Sequence, residues 1–231
     1  MPIHGMGPAH VYPFVSRLVP FWLILGVSLL SGADARLDPL LKGVENHYNR
    51  AQSLKLDFSE TYTVAKRPTQ VERGVLFLRK PGKMRWDYVA PTGKIFLSDG
   101  KNVLLYTPDT HRLEKSKLKE SDDLRAPLAF LLGKLNFSKE FRSFSSRPEG
   151  DLTWVSAAPN SEQAAYDKVD FLVGTDSTIR RVRISGVDHS ILEFAFSNEQ
   201  MNAPVTPAMF AFNPPPGTEI VEEKDRVEAR E

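Results

Sequence analysis

From Ser53 onward the chain is cut into short runs in which apolar and polar residues alternate, and each run ends in a turn signal. Little besides an antiparallel sheet satisfies that spacing. In "SLKLDFSETYTV" Leu54, Leu56, Phe58, Tyr62 and Val64 share one face, while Lys55, Asp57, Ser59, Thr61 and Thr63 take the other. Glu60 is the odd member of the apolar face. The stretch "RGVLFLRKPGKMRWDYVAPTGKIFLSDGKNVLLYTPDTHRLEKS" holds five more runs, cut at "KPGK", "APTG", "SDGK" and "TPDT". Connections this short make neighbouring strands antiparallel. Asp99-Gly100 predicts a two-residue type I′ hairpin, with positive φ at both central residues. "DLTWVSA", "AYDKVDFLVG", "TIRRVRIS", "SILEFAFSN" and "MFAFNPP" continue the meander to about ten or eleven strands.

Helical spacing occurs in two places. In "LDPLLKGVENHYNR", Leu37, Leu40, Leu41, Val44 and Tyr48 form one stripe, with Asp38 as N-cap and Pro39 at the first helical position. "RAPLAFLLGK" is a short helix opened by Pro127 and closed by Gly133, and it is apolar on every side. A helix that short should show water at least one polar face, so something must cover the rest of it.

The first 35 residues read as an address. Arg17 precedes the apolar run Leu18 to Leu30, which falls short of the roughly 20 residues of a membrane span, and "ADA" offers small residues for cleavage. Residues 1–35 are therefore expected to be a cleavable signal peptide, and residues 36–231 one domain. Removing 35 of 231 residues leaves 196. The removed part carries Arg17 and Asp34, so the formal charge stays at +1, which argues against a nucleic-acid footprint. With no cysteine, an exported chain has neither disulfides nor thiolate metal sites.

A sheet this large in so few residues must curl or split to hide its apolar face, and two or three helices cannot cover it as a full core layer. The fold expected is mainly β with α: an unclosed antiparallel barrel with its helices forming a lid over an apolar cavity. Strand parity turns Leu54, Leu56, Phe58, Leu76, Leu78, Met84 and Trp86 inward. Pro127, Leu128, Phe130, Leu131 and Leu132 form the lid.

Catalytic patterns are scarce. There is no G-x-S-x-G, no H-E-x-x-H and no phosphate-binding loop. His47 sits at the boundary face of the first helix, where it packs or caps, and His111 and His189 lie in polar turns. Asp109, His111 and Glu114 imitate a metal-ligand spacing that arises by chance around a polar hairpin. No enzyme activity, cofactor or metal is expected.

Taken together, the first helix, "LKLDFSETYTV", the block "KPGKMRW…P…SDGK…Y.P" from Pro81 to Pro108, "APLAFLLG" and the terminal "F.F.PP.G" from Phe210 to Gly217 resemble the periplasmic outer-membrane lipoprotein carrier family LolA. The resemblance implies an unclosed barrel with a helical lid. It also implies a monomeric carrier that takes acylated lipoproteins from an inner-membrane lipoprotein-releasing ABC transporter and hands them to an outer-membrane acceptor. In the family an arginine before the turn proline latches the lid. Here that position is Lys80, with Arg79 one place earlier, and period two favours Lys80 because it shares the face of Leu76 and Leu78. Similar barrels that bind other lipids or glycolipids, or sense envelope stress, are the alternative.

Overall fold

A computed structural model describes residues 34–117 and 135–222 of the chain. One helix comes first, α1 (Asp34–Arg50). It starts before the expected cap, so Pro39 lies inside it. There the missing N–H forfeits a single intrahelical bond near the start. Six strands follow in a meander: β1 (Ser53–Thr63), β2 (Gln70–Arg79), β3 (Lys83–Ala90), β4 (Thr92–Ser98), β5 (Asn102–Thr107) and β6 (Arg112–Lys117). After a four-residue helix, α2 (Phe137–Glu140), come β7 (Phe141–Glu149), β8 (Leu152–Pro159), β9 (Tyr166–Val173), β10 (Ile179–Gly186), β11 (Ile191–Met201) and β12 (Glu219–Glu222).

The strands make a single sheet in the order β12-β6-β5-β4-β3-β2-β1-β11-β10-β9-β8-β7. Its edges, β12 and β7, are not paired with each other, so the barrel is open. Twelve strands, rather than ten or eleven, are described. The stretch "MFAFNPP" is not one of them: Pro207–Phe210 is a 3-10 turn leading into an extended arm. The additional strands are β7, whose sequence "FRSFSSRPE" lacks a clean apolar alternation, and the four-residue β12, which lies parallel to β6.

The sheet is strongly curved. Trp86 on β3 and Phe194 on β11 are three strand spacings apart, about 14 Å along a flat sheet. Their ring centroids nevertheless lie 4.9 Å apart. Side chains on the concave side converge in this way only if the sheet bends around them. The C-terminal arm covers part of the convex side. Arg79 Nη1 donates to the Val205 carbonyl (3.0 Å) and Arg85 Nη1 to that of Met209 (2.7 Å), while Phe212 packs on Tyr106 with centroids 5.2 Å apart. This second cover explains why Phe96, Leu97 and Ser98 in β4 are all buried despite strand alternation.

The hairpin at "SDGK" differs from its expectation in detail. The Asp99 N–H donates to the Asn102 carbonyl, so the two-residue loop is Gly100–Lys101, and of these Gly100 alone has positive φ (94°), the type II′ pattern. Asp99 Oδ1 accepts from the N–H groups of Lys101 and Asn102. The loop rests on the "KPGK" turn: a β-carbon at Gly82 (φ 74°) would stand 2.9 Å from Gly100 Cα. Gly82→Ala is therefore expected to lower stability in urea unfolding by about 1–3 kcal/mol. Gly150→Ala, at a similar φ but with nothing within 4 Å of the new carbon, should cost less. Equal losses would show that the backbone contact contributes nothing.

Candidate functional site

The concave face is the candidate site. Leu54, Leu56, Phe58, Leu76, Leu78, Met84 and Trp86 all fall in one buried cluster, each between 0% and 4% exposed. Their register places them as neighbours: Leu54 faces Leu78, Leu56 faces Leu76, Leu76 faces Trp86 and Leu78 faces Met84. Around Trp86 stand the rings of Phe58 and Phe196, with centroids 4.7 and 6.5 Å away, as well as Phe194. Gly74 makes room for this: a β-carbon there would sit 2.8 Å from the Phe58 ring. The lid residues Pro127, Leu128, Phe130, Leu131 and Leu132 lie outside the described residues.

In this state α1 covers the face. Leu37, Leu41, Val44 and Tyr48, its apolar stripe, belong to the same cluster. Polar ties hold the helix down at its C-terminal half. Lys80 Nζ donates to the Tyr48 carbonyl at 2.7 Å. Carbonyls in the last turn of a helix have no intrahelical partner and carry its partial negative charge, so a cation there is favourable. Burial pulls the Lys80 ammonium below the usual lysine range. Arg79 points the other way, to the C-terminal arm, as its bond to Val205 shows. Of the two latch candidates, Lys80 is the one that reaches a helix.

The other ties were not legible as a site. Glu199 on β11 takes His47 Nε2 at 2.6 Å and the Tyr48 hydroxyl at 3.0 Å. The Tyr48 oxygen in turn accepts from the Ile179 N–H at 2.9 Å. Burial, then the Glu199 carboxylate, pushes the Tyr48 phenol well above its usual pKa, so it remains a donor. Asn49 bonds Leu135 twice, its amide donating to the Leu135 carbonyl (2.9 Å) and its oxygen accepting the Leu135 N–H (2.6 Å). Glu45 accepts the N–H of Phe137 at 2.9 Å. The only signals in the sequence were a histidine and an asparagine on the flank of the apolar stripe.

Glu60, the misfit of the alternation, closes the opposite end. It is 4% exposed and accepts the Tyr88 hydroxyl at 2.6 Å. Beside it Lys94 lies over the Tyr88 ring, 4.6 Å from the centroid, and pairs with Glu72. The apolar face is thus bounded along the strands by two polar clusters, one at Lys80 and one at Glu60.

An open, curved antiparallel sheet whose buried concave face is covered by a tied-down helix defines the unclosed-barrel class of binding proteins. Residues 49–213 match the family described as outer membrane lipoprotein carrier protein LolA, and the chain belongs to that family. It is 29% identical over 209 residues to an outer-membrane lipoprotein carrier protein of Bordetella avium, covering 90% of this chain and 97% of that one. A protein of the same description from Nitrosomonas europaea is 25% identical over 213 residues, with coverage of 90% and 99%. Among solved structures, a LolA superfamily protein from Nitrosomonas europaea is similar at a TM-score of 0.45 and 8% identity, covering 76% of this chain and 97% of that one.

Removing the Lys80 tie should loosen α1 without unfolding the sheet. Lys80→Ala is expected to lower stability by about 1 kcal/mol, given its partial exposure, and to speed hydrogen exchange at the last amides of α1. Lys80→Arg should preserve protection there. Unchanged exchange in Lys80→Ala would mean that the bond does not restrain the helix.

Proposed function

We propose that this protein is a periplasmic carrier that shields the acyl chains of lipoproteins on their way from the inner to the outer membrane. The observation that carries the reading is the concave apolar face, bounded by polar clusters and covered by a helix held with a handful of hydrogen bonds. Membership of the carrier family supports it. Residues 1–35 direct export and are removed. The inner-membrane lipoprotein-releasing ABC transporter supplies the cargo, and an outer-membrane acceptor receives it. The protein acts by binding, without a catalytic step.

Energetics explains why a carrier is needed and how it loads. Burying a methylene is worth about 0.8 kcal/mol, so an acyl chain of about 16 carbons costs on the order of 12 kcal/mol to leave in water. Spontaneous crossing is negligible. When such a chain enters the concave face, the cluster of Leu54, Leu56, Phe58, Leu76, Leu78, Met84 and Trp86 exchanges contacts with α1 for contacts with the guest. The apolar burial is thereby retained. Only the polar ties must break, at about 1 kcal/mol net for each. The segment with Pro127, Leu128, Phe130, Leu131 and Leu132 serves as a further apolar cover, and Lys80 as the latch.

A charge on the concave face should abolish loading. Leu78→Glu is expected to stay soluble yet lose at least tenfold in lipoprotein recovered with the carrier from the periplasm, scored by mass spectrometry of the co-purifying material. Recovery equal to that of the unaltered chain would overturn the reading.

A further inference from the structure

Trp86 carries a polar atom that the apolar cluster does not satisfy. The side chain is 0% exposed, and its indole Nε1 has no hydrogen-bond partner among the described residues. Buried tryptophan N–H groups normally find an acceptor. Trp154 follows that rule on the outer side of the sheet, donating to Glu149 at 2.6 Å. Arg112 Nε is also without a hydrogen bond, but it lies 3.3 Å from the Glu114 carboxylate. Among the described residues, Trp86 is flanked across the strands by Leu76 and Phe96 and meets the rings of Phe58 at 4.7 Å, Phe194 at 4.9 Å and Phe196 at 6.5 Å between centroids. These supply apolar contact and no lone pair.

The position is central. Trp86 faces Leu76, which faces Leu56, and Leu56 lies between Leu54 at the Lys80 end and Glu60 at the other end of the same strand. A donor at mid-strand in an otherwise apolar face selects a ligand that is hydrocarbon along most of its length and carries an acceptor within it. Acyl esters and amides have that composition: a long alkyl chain ending in a carbonyl oxygen. Alkyl chains held by ether linkages present a weaker acceptor.

Resting on the carrier reading above, we propose that the Trp86 indole N–H donates a hydrogen bond to an acyl carbonyl of the bound lipid. This bond fixes the depth of the chain in the concave face and makes the site selective for acyl over alkyl lipids. The interaction is worth more there than in water, because the donor has no competing partner among the described residues and the surroundings have a low dielectric.

The test compares two probes on the protein purified after expression of the full chain: a dipalmitoyl-S-glycerylcysteinyl peptide and its counterpart with ether-linked hexadecyl chains. Trp86→Phe keeps an aromatic ring and deletes the donor. It is expected to weaken binding of the ester probe about five- to tenfold more than that of the ether probe. In the unaltered protein, the nitrogen-15 indole resonance assigned to Trp86 should move downfield with the ester probe and not with the ether probe, a readout that does not depend on the variant folding. Equal losses for both probes, or an indole resonance indifferent to the linkage, would overturn the inference while leaving the carrier reading intact. If the unaltered protein bound neither probe, the carrier reading would fall, and this inference with it.

Discussion

An apolar concave sheet face cannot stand bare in water, and the rest of the molecule answers to that constraint. Burying the seven inward residues of β1, β2 and β3 is worth about 1.5–3 kcal/mol each, roughly 10–20 kcal/mol together. That matches or exceeds the whole stability of an ordinary domain. The face must therefore always be covered, and in the described state α1 does it with Leu37, Leu41, Val44 and Tyr48. A cover of the same chemistry as the guest makes exchange possible, because apolar contact carries no direction and one hydrocarbon replaces another.

On the proposed reading, polar contacts then decide which cover wins. Lys80, Glu199, Asn49 and Glu45 hold α1 through hydrogen bonds that an acyl chain cannot reproduce. They set a threshold of a few kcal/mol, small beside the gain from sequestering even one long chain. A fully apolar hinge would give no defined resting position. A network several times stronger would keep the cargo out. Lys80 donates to the Tyr48 carbonyl as a point charge rather than as a planar fork, which on the proposed reading suits a contact that is made and broken.

The parts of this architecture written in local pattern were legible in the sequence. Period-two alternation located β1 through β6 and put seven side chains on one face, and the turn signals fixed antiparallel order. What escaped was written elsewhere. β7 has few apolar residues because it is a sheet edge, and β12 is too short for any period. "MFAFNPP" alternates like a strand, yet its aromatics face the convex side from an arm. The Glu199 ties join residues about 150 apart in sequence, which no local spacing reveals. Glu60 did announce itself as an exception, but its partner Tyr88 had to be seen in space.

If α1 and the cargo occupy the concave face in turn, a reversible tether on the helix should block loading. The chain has no cysteine, and a β-carbon on Gly43 of α1 would lie 3.5 Å from the β-carbon of Ser177 in the turn between β9 and β10, within disulfide range. With Gly43→Cys and Ser177→Cys introduced together, the oxidised protein should fail to bind a diacylated lipopeptide, and reduction should restore binding. Equal binding by the oxidised and reduced forms would show that the helix need not leave, which contradicts alternate occupancy of the concave face.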